Sequence, residues 1–107
     1  MSIRVELADL AGAVAEQAPF AYLLTVSDDA RTHIVAVVPH IDGGVVACEA
    51  GRSSCANARA RRDVVLLWPP ARTDDFSLIV DGAATVDGER ITIAPTGAVK
   101  HRPAPGL

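Results

Sequence analysis

The sequence predicts a mainly β fold, in which six antiparallel strands form a closed or nearly closed barrel with two accompanying helices. Half of the 107 residues are apolar, yet only two Phe, one Tyr and one Trp are aromatic. The core is therefore built from small and β-branched side chains, which favour strands. Six apolar runs are bounded by short turn signals, and only one segment has the periodicity of a substantial amphipathic helix. The length fits a single domain over residues 1–107.

The first element is predicted to be a helix over residues 5–18. Leu7, Leu10, Val14 and Ala18 recur at steps of three and four residues, as one face of an amphipathic helix requires. Pro19 is expected to end this helix, because the residue before a proline is pushed out of the helical region.

The next three elements are predicted to be strands of an antiparallel meander. FAYLLTVS (residues 20–27), THIVAVVPH (32–40) and VVACE (45–49) are rich in apolar and β-branched residues. Polar and glycine-containing turns separate them at 28–31 and 41–44. Consecutive strands joined by such short turns are expected to pair in sequence order.

A short helix is predicted between strands 3 and 4, within GRSSCANARARR (residues 51–62), from about Ser53 to Arg62. One interpretation is an anion site, because Gly51 permits a tight turn, the first N–H groups of a helix attract anions, and arginine and serine donate to phosphate. The other is a capped helix, in which Ser53 or Ser54 is the N-cap and the later arginines complement its C-terminal end. Both interpretations can hold together.

The last three strands are predicted at DVVLLWPP (63–70), FSLIVDGAATVDG (76–88) and ERITIA (89–94). Asp81-Gly82 indicates a bulge or bend in the fifth strand, and Asp87-Gly88 is the strongest hairpin signal in the chain. The remaining tail is expected to contain one helical turn before its prolines, and residues from about 103 to 107 are expected to be flexible.

Charge and cysteine content exclude several classes of function. A net charge of −3 gives no field that would attract nucleic acid or anionic lipid, and no segment is long and apolar enough to span a membrane. The N-terminus has no leader pattern, so a cytoplasmic protein is expected. Cys48 and Cys55 lack the spacing of a metal or redox motif, so no metal site is predicted and Cys55 is expected to be an inert thiol rather than a nucleophile.

The order of these elements resembles the FMN-binding split β-barrel family typified by pyridoxamine 5′-phosphate oxidase, and in particular its short actinobacterial members. The similar segments are FAYLLTVSDDARTHIVAV, GRSSCANARARRDVVLLWPP, LIVDGAATVDGERITIAPTGAV and KHRPA. The resemblance implies a homodimer that holds FMN in a groove at the subunit interface. A barrel with two apolar faces and one substantial helix also favours a homodimer, because a second copy would cover its outer wall.

The resemblance also implies where the coenzyme phosphate binds. The candidate cofactor-binding residues are His40 on the second strand and, on the short helix, Arg52, Ser53, Ser54 and Asn57. The leading hypothesis is an oxidoreductase that uses FMN or a deazaflavin, with the catalytic residues and the substrate unknown.

Three positions lack the charge that the resemblance implies, namely Val35, Ser54 and Cys55. They favour an alternative, in which the protein is a non-catalytic split-barrel dimer that binds haem, another small ligand or no cofactor.

Overall fold

A computed structural model describes residues 2–104 of the chain, and strands dominate them. The eight strands are β1 (Ser2–Arg4), β2 (Ala21–Val26), β3 (Thr32–Val37), β4 (His40–Asp42), β5 (Val45–Glu49), β6 (Asp63–Trp68), β7 (Ser77–Asp87) and β8 (Arg90–His101). A 3-10 helix (Leu7–Asp9) precedes α1 (Leu10–Ala15), and α2 (Arg52–Ala60) lies between β5 and β6. The predicted mainly β fold with two short helices is confirmed.

The predicted count of six strands is wrong. Seven strands follow one another across the sheet in the order β3-β2-β6-β7-β8-β5-β4, and β1 pairs with the end of β8. Pro39 accounts for one extra strand, because a residue without an N–H interrupts the ladder and divides the predicted second strand into β3 and β4. The three-residue β1 is too short to produce a periodic signal.

The predicted three-strand meander is right only in part, because its second strand is divided between two hairpins at opposite ends of the strand order. β2 and β3 do pair, but β5 pairs with β4 and β8 instead of with β3. β3 and β4 are thus the two ends of the strand order, although only Val38 and Pro39 separate them in the chain. Three Cα–Cα steps span at most about 11 Å, so the two ends of the sheet must approach each other. We call this junction the seam.

The long β7–β8 hairpin contains the predicted irregularity. Its register shifts between Asp81 and Gly82, where Asp81 faces Gly97 and Gly82 faces Pro95, which leaves Thr96 as the extra residue of a bulge on β8. Beyond this point β8 continues to His101, so the helical turn expected in the tail is wrong. The predicted flexible segment of 103–107 lies partly outside the described residues.

The helical segment predicted over 5–18 is shorter in the structure and ends at Ala15. Gln17 instead forms a bridge with Pro70, and its Nε2 donates to the backbone oxygens of Trp68, Pro69 and Phe76 at 2.9 to 3.3 Å. Leu10 is buried against the core, as the amphipathic pattern requires. The Gln17 contacts therefore fix the chain before β2 in an extended conformation.

The core lies on the inner face of the curled sheet. Its largest fully buried side chains are Trp68, Leu23, Leu66, Leu78, Ile91 and Ile93. α2 packs on β2 and β7 and buries Ser54, Cys55 and Ala58. In the chain, α2 follows β5 after two residues, Ala50 and Gly51.

We expect the substitution Gly82→Ala to lower the free energy of unfolding by about 1–3 kcal/mol, because an added Cβ would overlap Ile93 Cγ2 and lie 2.9 Å from the carbonyl oxygen of Ala94. Gly97→Ala is the matched control, since a Cβ there meets no atom within 4 Å. Urea denaturation of both variants measures the difference. Equal stability of the two variants would show that the bulge does not require glycine at 82.

Candidate functional site

A groove of about 620 Å³ lies at the seam. One wall comes from Phe20 and the end of β3, and the other comes from β4, β5 and the start of β8. The lining residues are Phe20, Ala36, Val37, Val38, His40, Ala47, Cys48, Glu49 and Arg90. The groove exists only because the sheet curls, since its walls come from strands at opposite ends of the strand order. We call it the seam groove.

Charged side chains stand at one wall of the seam groove. Glu49 on β5 faces Arg90 on β8 in the register of the sheet, and His40 lies on the adjoining strand β4. All three residues are exposed, and within residues 2–104 neither Glu49 nor Arg90 forms an ion pair. The groove thus combines apolar surface with polar groups that are available to a ligand.

Only two residues, Ala50 and Gly51, separate the groove-lining Glu49 from Arg52, where α2 begins. Gly51 is its N-cap in an extended conformation, and the Gly51 carbonyl accepts a hydrogen bond from the Cys55 N–H at 3.0 Å. The predicted capping by Ser53 or Ser54 is wrong, because the helix begins at Arg52 and both serines lie inside its first turn. The backbone N–H groups of this first turn have no partner within the helix, so they are available to an anion.

Two mycobacterial proteins are similar in sequence to this chain. An uncharacterised protein from Mycobacterium bovis and one from Mycobacterium tuberculosis are each 37% identical to it over 118 residues, covering 94% of this chain and 82% of the relative. The chain belongs to the family of these mycobacterial proteins. No family model matches the sequence.

Solved structures establish the fold. A protein named F420 reductase superimposes with a TM-score of 0.68 at 16% identity, over 80% of this chain and 93% of that one. A candidate pyridoxamine 5′-phosphate oxidase from Listeria innocua gives 0.70 at 20% identity, over 87% and 96%. An FAD-binding protein from Mycobacterium smegmatis gives 0.64 at 14% identity, over 95% and 100%. The chain has the split-barrel fold of pyridoxamine 5′-phosphate oxidase-like proteins, which confirms the resemblance.

The split barrel separates the predicted cofactor-binding residues into two groups. His40 lines the seam groove, and Arg52 and Ser53 are exposed on the first turn of α2. Ser54 is buried under α2, and Asn57 Nδ2 donates to Thr25 Oγ1 at 3.1 Å. Of the five, only His40 lines the seam groove; Arg52 and Ser53 face solvent outside its lining, and the side chains of Ser54 and Asn57 contact the body of the protein.

The other three arginines of the GRSSCANARARR segment bond to the sheet. Arg59 Nη2 donates to the Gly88 carbonyl at 3.2 Å, and Arg62 Nε donates to the Ala84 carbonyl at 3.0 Å. Arg61 donates to the Val26 carbonyl and to the Asp28 carboxylate, both at 2.7 Å. Arg59, Arg61 and Arg62 therefore attach α2 to the split barrel, in addition to their predicted effect on the helix C-terminus. Arg52 is the one arginine of the segment that lies in the first turn of α2.

Sequence reasoning missed Phe20, Glu49 and Arg90 as residues of the seam groove. Arg90 reaches the groove through the pairing of β8 with β5, which no local pattern indicates. Phe20 carried a usable signal, since it is one of two phenylalanines and directly precedes a strand.

The two cysteines are free and buried, as predicted for Cys55. Burial first, and the neighbouring Cys55 second, raise the pKa of the Cys48 thiol from 9.0 to about 11, while Arg90 acts in the opposite direction. A groove-lining thiol of this kind stays protonated at neutral pH and is not a nucleophile. Residues 2–104 contain no cluster of three His, Cys, Asp or Glu side chains that could hold a metal ion, and none of their helices is long and apolar enough to cross a membrane.

We expect Cys48 to react about 100-fold more slowly with iodoacetamide at pH 8 in the folded protein than in urea, because the thiolate is the reactive form and its pKa is raised by folding. Peptide mapping by mass spectrometry gives the rate for each cysteine.

The raised pKa of Cys48 also stabilises the folded state below pH 9, and this contribution is lost as the pH rises toward 11. Between pH 9 and pH 11 the free energy of unfolding should therefore fall less for Cys48→Ala than for the wild type, as measured by urea denaturation. An identical fall in both proteins would show that folding does not raise the pKa of Cys48.

Proposed function

We propose that the chain is an oxidoreductase that uses a flavin or deazaflavin and holds this coenzyme in the seam groove. The observation that carries the proposal is the groove itself, which combines an apolar wall with exposed polar groups and whose lining residue Glu49 is separated from the start of α2 by only two residues. Pockets that combine apolar surface with a few polar groups are typical of cofactor sites. The solved structures named F420 reductase and FAD-binding protein, which share the fold, support the same class of coenzyme.

The residues present fit the two ends of such a coenzyme. Phe20 and Val38 supply apolar surface for a planar ring, and Arg52, Ser53 and the first-turn N–H groups of α2 supply donors for a phosphate. Arg52 is exposed and has no hydrogen bond or ion pair to another residue within 2–104, so its guanidinium is free to bind an anion. The bound coenzyme would carry hydride or electrons, and the protein binds and orients it.

In this proposal the remaining candidate residues act in different ways. His40 contacts the ligand from β4, because its side chain lines the seam groove. Ser54 contributes its backbone N–H, and the Asn57–Thr25 hydrogen bond holds α2 against β2. Val35 contributes nothing to the phosphate, because its side chain packs against the hydrophobic core.

The proposed assembly is a homodimer formed through the outer face of the sheet. In the register, Ala36, Tyr22, Leu67 and Ile79 share one row of this face across β3, β2, β6 and β7. Ile34 and Val38, at its β3 edge, are 56% and 62% exposed. A contiguous apolar surface is a typical interaction site, and a second copy of the chain would cover it. The seam groove borders this face, since both include Ala36 and Val38.

The alternative is a non-catalytic split-barrel dimer that binds haem, another small ligand or no cofactor. The packing of Val35 into the core favours it, because the family pattern implies a basic residue there. The protonated thiol of Cys48 is consistent with a groove that binds without reacting. Titration of the purified protein with FMN, coenzyme F420 and haem distinguishes the two proposals.

We expect FMN to bind the purified protein, with quenching of flavin fluorescence as the measurement. Arg52→Ala should weaken binding about tenfold, because it removes a charge-assisted contact to the phosphate, and Ser53→Ala should weaken it by a smaller factor. Arg72→Ala, in the exposed loop after β6, is the matched control and should leave the affinity unchanged. Coenzyme F420 and haem are titrated in parallel. A protein that takes up haem alone, or none of the three, would refute the oxidoreductase proposal.

We also expect the wild-type protein to sediment as a dimer, and Ile34→Glu to raise the dimer Kd at least about tenfold, because a charge would be buried in the interface. Ile3→Glu is the control, since Ile3 is 45% exposed but lies in the row of Lys100 and Leu78, on the opposite face of the sheet. Sedimentation velocity over a concentration series measures both. A monomeric wild type, or an unaltered Ile34→Glu dimer, would contradict the proposed interface.

A further inference from the structure

A second groove, of about 330 Å³, lies between the C-terminal half of α2 and the end of β7. It shares no lining residue with the seam groove. The residues that line it are Ala58, Arg59, Arg62, Ala84, Thr85 and Val86. We call it the arginine groove, because two of its six lining side chains are arginines and none is a carboxylate.

Both guanidinium groups of the arginine groove are held in place by the hairpin. Arg59 Nη2 donates to the Gly88 carbonyl at 3.2 Å and Arg62 Nε to the Ala84 carbonyl at 3.0 Å. A guanidinium has five N–H donors, so each group keeps donors for a ligand after making this bond. Because the side chains are already ordered, a ligand that binds them loses less conformational entropy than one that binds free arginines.

The two positive charges have no carboxylate partner in the described part of the chain. Asp63 follows Arg62 directly, and Asp87 and Glu89 flank Gly88, yet none of them forms an ion pair with Arg59 or Arg62. The negative end of the α2 dipole offsets part of this charge. Two fixed guanidinium groups beside one groove still favour an oxyanion, because arginine donors match the geometry of phosphate.

We propose that the arginine groove binds a phosphate monoester, with Arg59 and Arg62 on the phosphate oxygens. Half-buried Val86 gives the groove apolar surface next to the arginines, which accommodates the organic group of a phosphate monoester, whereas Ala58 and Ala84 are fully buried and form the floor of the groove. This site is separate from the proposed coenzyme site. The coenzyme phosphate is proposed to bind at the start of α2, whereas the arginine groove lies at its C-terminal end.

Titration of the ¹⁵N-labelled protein with phenyl phosphate and with inorganic phosphate tests the proposal. We expect saturable shifts in the amide signals of Ala58–Arg62 and Ala84–Val86, with phenyl phosphate binding several-fold more tightly than inorganic phosphate. Equal affinity for the two would overturn the assignment to a monoester. The absence of saturable shifts, or shifts confined to residues 51–55, would overturn the site; in the second case the anion binds at the start of α2, as the coenzyme proposal expects.

Variants test the two arginines separately. Arg59→Ala and Arg62→Ala should each weaken phenyl phosphate binding about tenfold, and the lysine variants should weaken it less because they keep the charge. Arg72→Ala is again the control. Thermal unfolding of each variant shows whether it folds. If an alanine variant does not fold, phenyl phosphate binding by Arg59→Lys is compared with the wild type instead. Unchanged affinity in folded Arg59→Ala and Arg62→Ala would overturn the proposal.

Discussion

The connection between β3 and β4 constrains the whole molecule. Seven strands laid flat would place the outermost two about 29 Å apart, at about 4.8 Å per neighbouring pair. The two residues between β3 and β4, Val38 and Pro39, can span only about 11 Å between the strand ends. The sheet must therefore curl, and the bulge at Thr96 opposite Asp81 and Gly82 lets the longest hairpin bend. The seam groove and the exposed apolar face both follow from this curvature.

α2 divides the GRSSCANARARR segment into two parts with different physical roles. Asn57 and Arg61 attach the later turns to β2, through the Thr25 hydroxyl and the Val26 carbonyl. Arg52 and Ser53, in the first turn, remain exposed to solvent. A rigid attachment at one end of a short helix fixes the direction of the donors at its other end, which is what a preorganised anion site requires.

Local signals predicted the turns and irregularities of the long hairpin correctly, although they misplaced the cap of α2 and the end of the first helix. Asp87-Gly88 forms the hairpin between β7 and β8, the irregularity lies at Asp81-Gly82, and a short helix follows Gly51. The pairing of β5 with β8 could not be predicted, because it joins residues about 45 positions apart and depends on the curl of the whole sheet. For the same reason Arg90 was not predicted to line the groove, whereas the resemblance had made His40, on the same wall, a candidate site residue. The burial of Ser54 and the Asn57–Thr25 bond depend on how α2 packs, which spacing alone does not determine.

The most direct test of the proposed coenzyme site is the crystal structure of the protein grown with FMN, or with coenzyme F420 if FMN does not bind. We expect the ring in the seam groove between Phe20 and the end of β3, and the phosphate within hydrogen-bond distance of Arg52, Ser53 and the first-turn amides of α2. A coenzyme bound elsewhere on the barrel, with the seam groove filled by water, would contradict this placement and the role assigned to the seam.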